Sequence, residues 1–172
     1  MKNNAVYKLV VSALCLALCI LLPFLTGQIP EVGNMLCPMH LPVFICAFLC
    51  GPFYALAVGL VAPVMRSLLF SMPPLFPTAV SMSFELCSYG LFAGLIYKLL
   101  PKKVYNIYIS LICAMLVGRV VLGIVNTILL GSEYSFDAFL AGAFIQAVPG
   151  IILQIVLIPI LVMAVNKVNK KG

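Results

Sequence analysis

Apolar residues follow one another along this chain in long runs, and short segments rich in proline, glycine or charged residues separate these runs. A run of about 20 apolar residues predicts a helix that crosses a membrane. We predict an all-α membrane protein, a single domain of residues 1–172, with six transmembrane helices over residues 1–23, 40–50, 52–71, 78–100, 104–130 and 136–165. The second helix is only about 16 Å long, so it borrows part of the preceding loop or is held by its neighbours.

Residues 26–42, TGQIPEVGNMLCPMHLP, form a long polar interruption between the first two predicted helices. The prolines and glycines break a regular helix, because proline lacks a backbone donor and glycine lacks conformational restraint. Irregular backbone at membrane depth persists only where it is buried in protein or faces water. Together with the polar side chains of Gln28, Glu31, Asn34 and His40, this pattern predicts a structured loop that closes over a ligand. A plain connector is the alternative.

The composition, 65% hydrophobic and 8% charged, leaves too little polar surface to cover a soluble globule of 172 residues. The net charge of +6 would suit a nucleic-acid-binding protein only if the basic residues formed one water-exposed surface. The lysines lie instead at both ends of the chain and around the connection between helices four and five: Lys2, Lys8, Lys98, Lys102, Lys103, Lys167, Lys170 and Lys171. By the positive-inside rule, both termini are cytoplasmic and the long loop faces outward.

Three ionisable residues, Arg66, Glu85 and Arg119, lie well within predicted helices. Each costs about 2.5–3.5 kcal/mol to place in a membrane, so each requires a partner or a wet cavity. All three fall in the outer half of their helices, as do Asn126 and Gln146. We therefore expect a polar pocket beneath the outer loop.

Helical spacing supports this pocket. On helix four, polar side chains recur at intervals of three or four residues and share one face: Thr78, Ser81, Glu85 and Ser88. Arg119 and Asn126 are seven residues apart and share a face of helix five. An internal Arg–Glu pair with polar contacts between helices is the structural alternative.

Two arginines against one glutamate leave a spare positive charge, which favours a pocket for an anionic ligand. If Glu85 neutralises Arg66, Arg119 is left to bind a ligand carboxylate. The complete set of candidate substrate-binding residues is Asn34, His40, Arg66, Glu85, Arg119, Asn126 and Gln146.

Other chemistries have less support. His40 lies near Met35, Cys37 and Met39 in the sequence, and these side chains together would suit copper or nickel. A single histidine in an apolar chain, however, is more often structural or binds a ligand by hydrogen bonds. We therefore expect no metal and no cofactor. A small membrane enzyme acting on a lipid or isoprenoid is the alternative function, and it would need paired acids or a His/Asp set that the sequence lacks. A channel would need a continuous polar path to the cytoplasmic side. Gln154 is the only polar side chain deep in predicted helix six beyond its middle, so the sequence indicates that this path is closed.

Ala13 and Ala17 form a small-xxx-small pair on helix one, which permits close approach of another helix. With the six helices, the long outer loop and the segment FLTGQIPEVGNMLCPMHLPVFICAFLCGP, this pair resembles the S components of energy-coupling-factor vitamin transporters. The resemblance implies a high-affinity binding subunit of the cell membrane that works with a transmembrane coupling protein and two cytosolic ATPases. It also implies that Ala13 and Ala17 face the coupling protein, that the outer loops close over a vitamin and that the subunit topples to release it. Pantothenate is the first candidate among carboxylate-bearing vitamins.

Overall fold

A computed structural model describes residues 5–26, 35–101, 103–131, 134–145 and 147–171. Within these ranges the regular structure is helical and no strand occurs. The α-helices are α1 (Ala5–Leu21), α2 (His40–Leu49), α3 (Pro52–Phe70), α4 (Val80–Leu99), α5 (Val104–Leu130), α6 (Phe136–Leu140) and α7 (Val148–Lys171).

Five segments are long and apolar enough to cross a membrane: Ala5–Leu25, Pro52–Phe70, Leu75–Leu99, Val104–Leu130 and Val148–Val165. Large apolar side chains such as Leu14, Ile128 and Ile152 are exposed on them, as expected of surfaces that face lipid. The all-helical membrane architecture predicted from hydropathy is therefore confirmed.

The short helix α2 lies in the middle of the bundle. Of its ten residues only Ile45 is not buried, and the helix packs against α1, α3, α4 and α7. A ten-residue helix is too short to span the hydrocarbon by itself, so these neighbours hold it in place.

The prediction of one helix over residues 136–165 is wrong in its bounds. The short helix α6 passes into a π-helical turn at Ala141–Ile145, and the long helix α7 begins at Val148 and continues to Lys171. Pro149 lies in the first turn of α7, where its missing N–H costs no hydrogen bond within the helix.

Helices α3 and α4 pack with their backbones in close contact. A Cβ atom on Gly90 would lie 2.6 Å from the backbone of Ala55, and one on Gly94 would lie 2.7 Å from the Pro52 Cα atom. Only glycine permits this approach, which sets the position of α4 and of the polar residues near its N-terminal end.

Candidate functional site

A buried polar centre joins α2, α4 and α5. The Glu85 Oε1 atom accepts a hydrogen bond from the Tyr89 hydroxyl at 2.7 Å and lies 3.0 Å from the Arg119 Nη1 atom. The His40 Nε2 atom lies 3.7 Å from the other carboxylate oxygen, Oε2. All four side chains are buried, with exposed fractions between 1% and 6%.

The local sequence explains how this centre forms. Glu85 and Tyr89 are four residues apart on α4, so their side chains lie one above the other on the same helix face. The ring of Tyr89 lies against Gly118 of α5, where a Cβ atom would collide with it. The centroid of the Tyr89 ring is 5.3 Å from that of the His40 ring and 5.1 Å from that of the Phe44 ring.

The described end of the outer loop reaches this centre. The Arg119 guanidinium lies close enough to the Cys37 sulfur for the two groups to interact electrostatically. Burial raises the pKa of the Cys37 thiol to about 11, an effect that the nearby positive charge of Arg119 partly offsets. Cys37 also has a left-handed backbone, with φ of 47°, which is uncommon outside glycine.

Helix α7 packs against the same end of the loop. A Cβ atom on Gly150 would lie 2.6 Å from the Met35 carbonyl oxygen, so the glycine lets the backbone around Met35 and Leu36 lie directly on the helix. The segment that precedes α2 is thus in contact with α7 through its backbone and with α5 through Cys37.

The sequence left open whether Glu85 neutralises Arg66. In the structure Glu85 pairs with Arg119 instead, which is an internal Arg–Glu pair of the kind given as the structural alternative. Arg66 lies near the end of α3, and its Nη1 atom donates a hydrogen bond of 2.5 Å to the Ile20 carbonyl at the end of α1. Pro23 has no N–H to offer that carbonyl, so the guanidinium supplies a donor. The rings of Phe24 and Phe70 lie 4.9 and 5.6 Å from the Arg66 Cζ atom, in cation–π contact.

The structure brings together three of the candidate residues, His40, Glu85 and Arg119. Asn126 is half-buried on α5, about two turns beyond Arg119 on the same face. Asn34 and Gln146 lie outside the described residues.

The polar stripe predicted for helix four lies only partly on α4, because α4 begins at Val80 and Thr78 belongs to the π-helical turn Leu75–Ala79 before it. Ser81 and Glu85 are buried, whereas Thr78 and Ser88 are half-buried and the Ser88 hydroxyl donates to the Phe84 carbonyl of its own helix. Sequence reasoning missed Tyr89, although its spacing of four residues from Glu85 continues the stripe and would have found it. It also missed the role of Cys37, for which no sequence pattern gave a signal.

Ala13 and Ala17 lie on the exposed face of α1. The buried face of the same helix carries Ser12, Cys15 and Cys19, which pack toward the rest of the bundle. The alanine pair therefore lies on the side of α1 that is accessible to a partner.

A separate groove of about 460 Å³ lies between the C-terminal end of α5 and the segment that leads into α6. Its lining is mostly apolar and includes none of the candidate site residues. The groove is lined by Val120, Gly123, Ile124, Thr127, Ile128, Tyr134, Ser135, Phe136 and Phe139. Among the described residues no group of three or more His, Cys, Asp or Glu side chains is arranged to hold a metal ion.

The fold and this centre define a polytopic membrane protein with a charged, hydrogen-bonded site enclosed by its helices. Residues 7–162 match the sequence profile of the family described as ECF transporter, substrate-specific component, and the chain belongs to that family. No curated protein sequence matches the chain.

Membership confirms the resemblance drawn from the sequence and makes the chain a substrate-specific subunit of a membrane transporter. Such subunits bind a small molecule and work with a transport-coupling and ATPase module. The enzyme alternative is not favoured, because the family is a substrate-binding component of a transporter.

Proposed function

We propose that this protein captures a small water-soluble vitamin or vitamin precursor at the outer face of the cell membrane. The observation that carries the proposal is the buried Glu85–Arg119 pair, with His40 beside it, in a chain of the substrate-specific family. Ionisable side chains are costly inside a membrane and typically mark a substrate pathway. The transported molecule would bind against this centre, beneath the loop that leads into α2.

The arrangement in the membrane follows from the lysines. With both termini cytoplasmic, the start of α2, the N-terminal half of α4 and the second half of α5 all lie toward the outer face. Ala13 and Ala17 then lie nearer the cytoplasm, where a transmembrane coupling subunit with its two cytosolic ATPases would contact α1. The single domain of residues 1–172 supplies the substrate site and no ATP-binding motif.

The remaining candidates would complete the pocket. Asn126 extends the polar face of α5 beyond Arg119, and Asn34 and Gln146 would contribute amides from the outer loop and from the segment before α7. Amide side chains offer both a donor and an acceptor and so would read hydroxyl or amide groups of the substrate.

A carboxylate-bearing substrate, with pantothenate as the first candidate, is supported by the charge count. The membrane-spanning helices carry two arginines and one glutamate. Because Glu85 pairs with Arg119, Arg66 is the arginine without a carboxylate partner among the described residues. A ligand carboxylate near Arg66 would supply that partner.

Two measurements test the proposal. Native mass spectrometry of the gently purified protein should show a co-purifying small molecule, and calorimetric titration of water-soluble vitamins should find one tight binder. Arg119→Ala should weaken its binding by about 2–4 kcal/mol, whereas Ile128→Ala, at a side chain that is 76% exposed, should not. Arg66→Gln should weaken an acidic ligand more than its neutral analogue. No co-purifying molecule and no binding across the panel would contradict the proposed function.

A further inference from the structure

His40, the one histidine of the chain, is buried with hydrogen-bonding atoms left unused. Among the described residues, neither its Nδ1 nor its Nε2 atom has a hydrogen-bond partner, and the 3.7 Å to Glu85 is too long for a hydrogen bond. A buried imidazole normally satisfies both ring nitrogens, so this one is set up to receive a partner from outside the described structure.

The charges around His40 are already balanced. From α4 it faces Glu85 and Tyr89, and from α5 the guanidinium of Arg119 neutralises the carboxylate at 3.0 Å. The thiol of Cys37 reaches the same centre from the loop. The Glu85–Arg119 pair therefore carries no net charge.

This balance decides what the centre can accept. A second carboxylate placed here would lie close to Glu85, and like charges in a region of low dielectric repel strongly. An uncharged group avoids this repulsion and can satisfy the ring nitrogens of His40, because an imidazole can offer one donor and one acceptor.

We infer that the buried centre takes an uncharged group of the substrate that carries a donor beside an acceptor, such as an amide, a lactam or a hydroxylated heterocycle, and that His40 is its direct hydrogen-bond partner. This inference rests on the proposed function. An acidic group of the same substrate would lie away from the centre, so a molecule with both an amide and a carboxylate would enter with its uncharged end first.

The single histidine makes a direct test possible. Protein labelled with ¹⁵N-histidine and purified through a tag without histidine is titrated with the water-soluble vitamins, including nicotinamide beside nicotinate and panthenol beside pantothenate. Binding should shift both ring-nitrogen signals while one nitrogen stays protonated and the other does not. Calorimetry in two buffers of different ionisation enthalpy should show no proton uptake.

A doubly protonated imidazole in the complex, uptake of about one proton, or ring signals that binding leaves unchanged would each overturn the inference while leaving the proposed function intact. Absence of binding for every compound would instead contradict the proposed function, and the inference, which rests on that function, would then be wrong as well.

Variants give a second readout. His40→Leu removes two ring nitrogens that have no hydrogen-bond partner among the described residues, so the protein should fold, but affinity for the bound vitamin should fall at least tenfold. His40→Gln, which keeps a donor and an acceptor, should retain more affinity than His40→Leu. Phe48→Leu is the matched control, since Phe48 lies on the same helix and packs on Tyr97, outside the centre. Equal affinity of His40→Leu and wild type would overturn the inference.

Discussion

The Arg119 Nη1 atom lies 3.0 Å from the Glu85 Oε1 atom, and this contact joins α5 to α4 inside the membrane-spanning part of the protein. The same carboxylate oxygen accepts the Tyr89 hydroxyl. Because both charges are buried, each depends on the other to offset the cost of leaving water.

Removing one charge of this pair should therefore lower the free energy of unfolding more than removing both charges. Arg119→Gln leaves Glu85 buried without its cation and should lower the free energy of unfolding by about 3–5 kcal/mol. Adding Glu85→Gln should restore part of that loss, because a neutral amide still accepts from Tyr89. Thermal unfolding of the two single variants and the double variant in detergent measures the coupling. Losses that simply add would show that the two residues do not depend on each other.

Gly118 should be required for the position of Tyr89. A methyl group there would collide with the Tyr89 ring, so Gly118→Ala should destabilise the protein by about 1–3 kcal/mol and weaken substrate binding as the hydroxyl moves off Glu85. Gly142→Ala is the control, because a Cβ atom at Gly142 would meet no atom of the described residues within 4 Å. Melting temperatures and calorimetric affinities of both variants check this, and similar behaviour of the two would contradict it.

The exposed alanine pair of α1 should affect assembly and not substrate binding. Ala13→Leu with Ala17→Leu adds bulk to an exposed face of α1, so the fold and the polar centre should remain intact. Co-purification with the coupling subunit should be lost while the calorimetric affinity for substrate stays within about twofold. Ala57→Leu and Ala164→Leu, at exposed alanines of α3 and α7, are the controls. Loss of substrate affinity together with assembly would indicate internal packing instead.

The lysine distribution predicts the orientation of the chain. In a variant without native cysteines, Ser132→Cys should react with an impermeant maleimide on intact cells, and Lys171→Cys should react only after lysis. Labelling in the reverse order would place the termini outside. The polar centre would then face the cytoplasm, and the proposed direction of capture would be wrong.

Much of the helical fold follows from the sequence because hydropathy is a local property. The bounds of α3 and α5 lie within one residue of those predicted, since glycine, proline and lysine mark the ends of each apolar run. The last helix was harder to predict. Its apolar run continues from residue 136, and the break before Val148 is marked only by Pro149 and a π-helical turn.

The sequence by itself determined that Arg66, Glu85 and Arg119 need partners, because each is ionisable and each lies within a membrane-spanning run. Only the tertiary structure decided which arginine pairs with Glu85. That choice depends on how closely α4 approaches its neighbours and on the free carbonyl at the end of α1 that Arg66 binds. Such contacts join residues far apart in the chain, and helical periodicity places each side chain on its own helix but not against another.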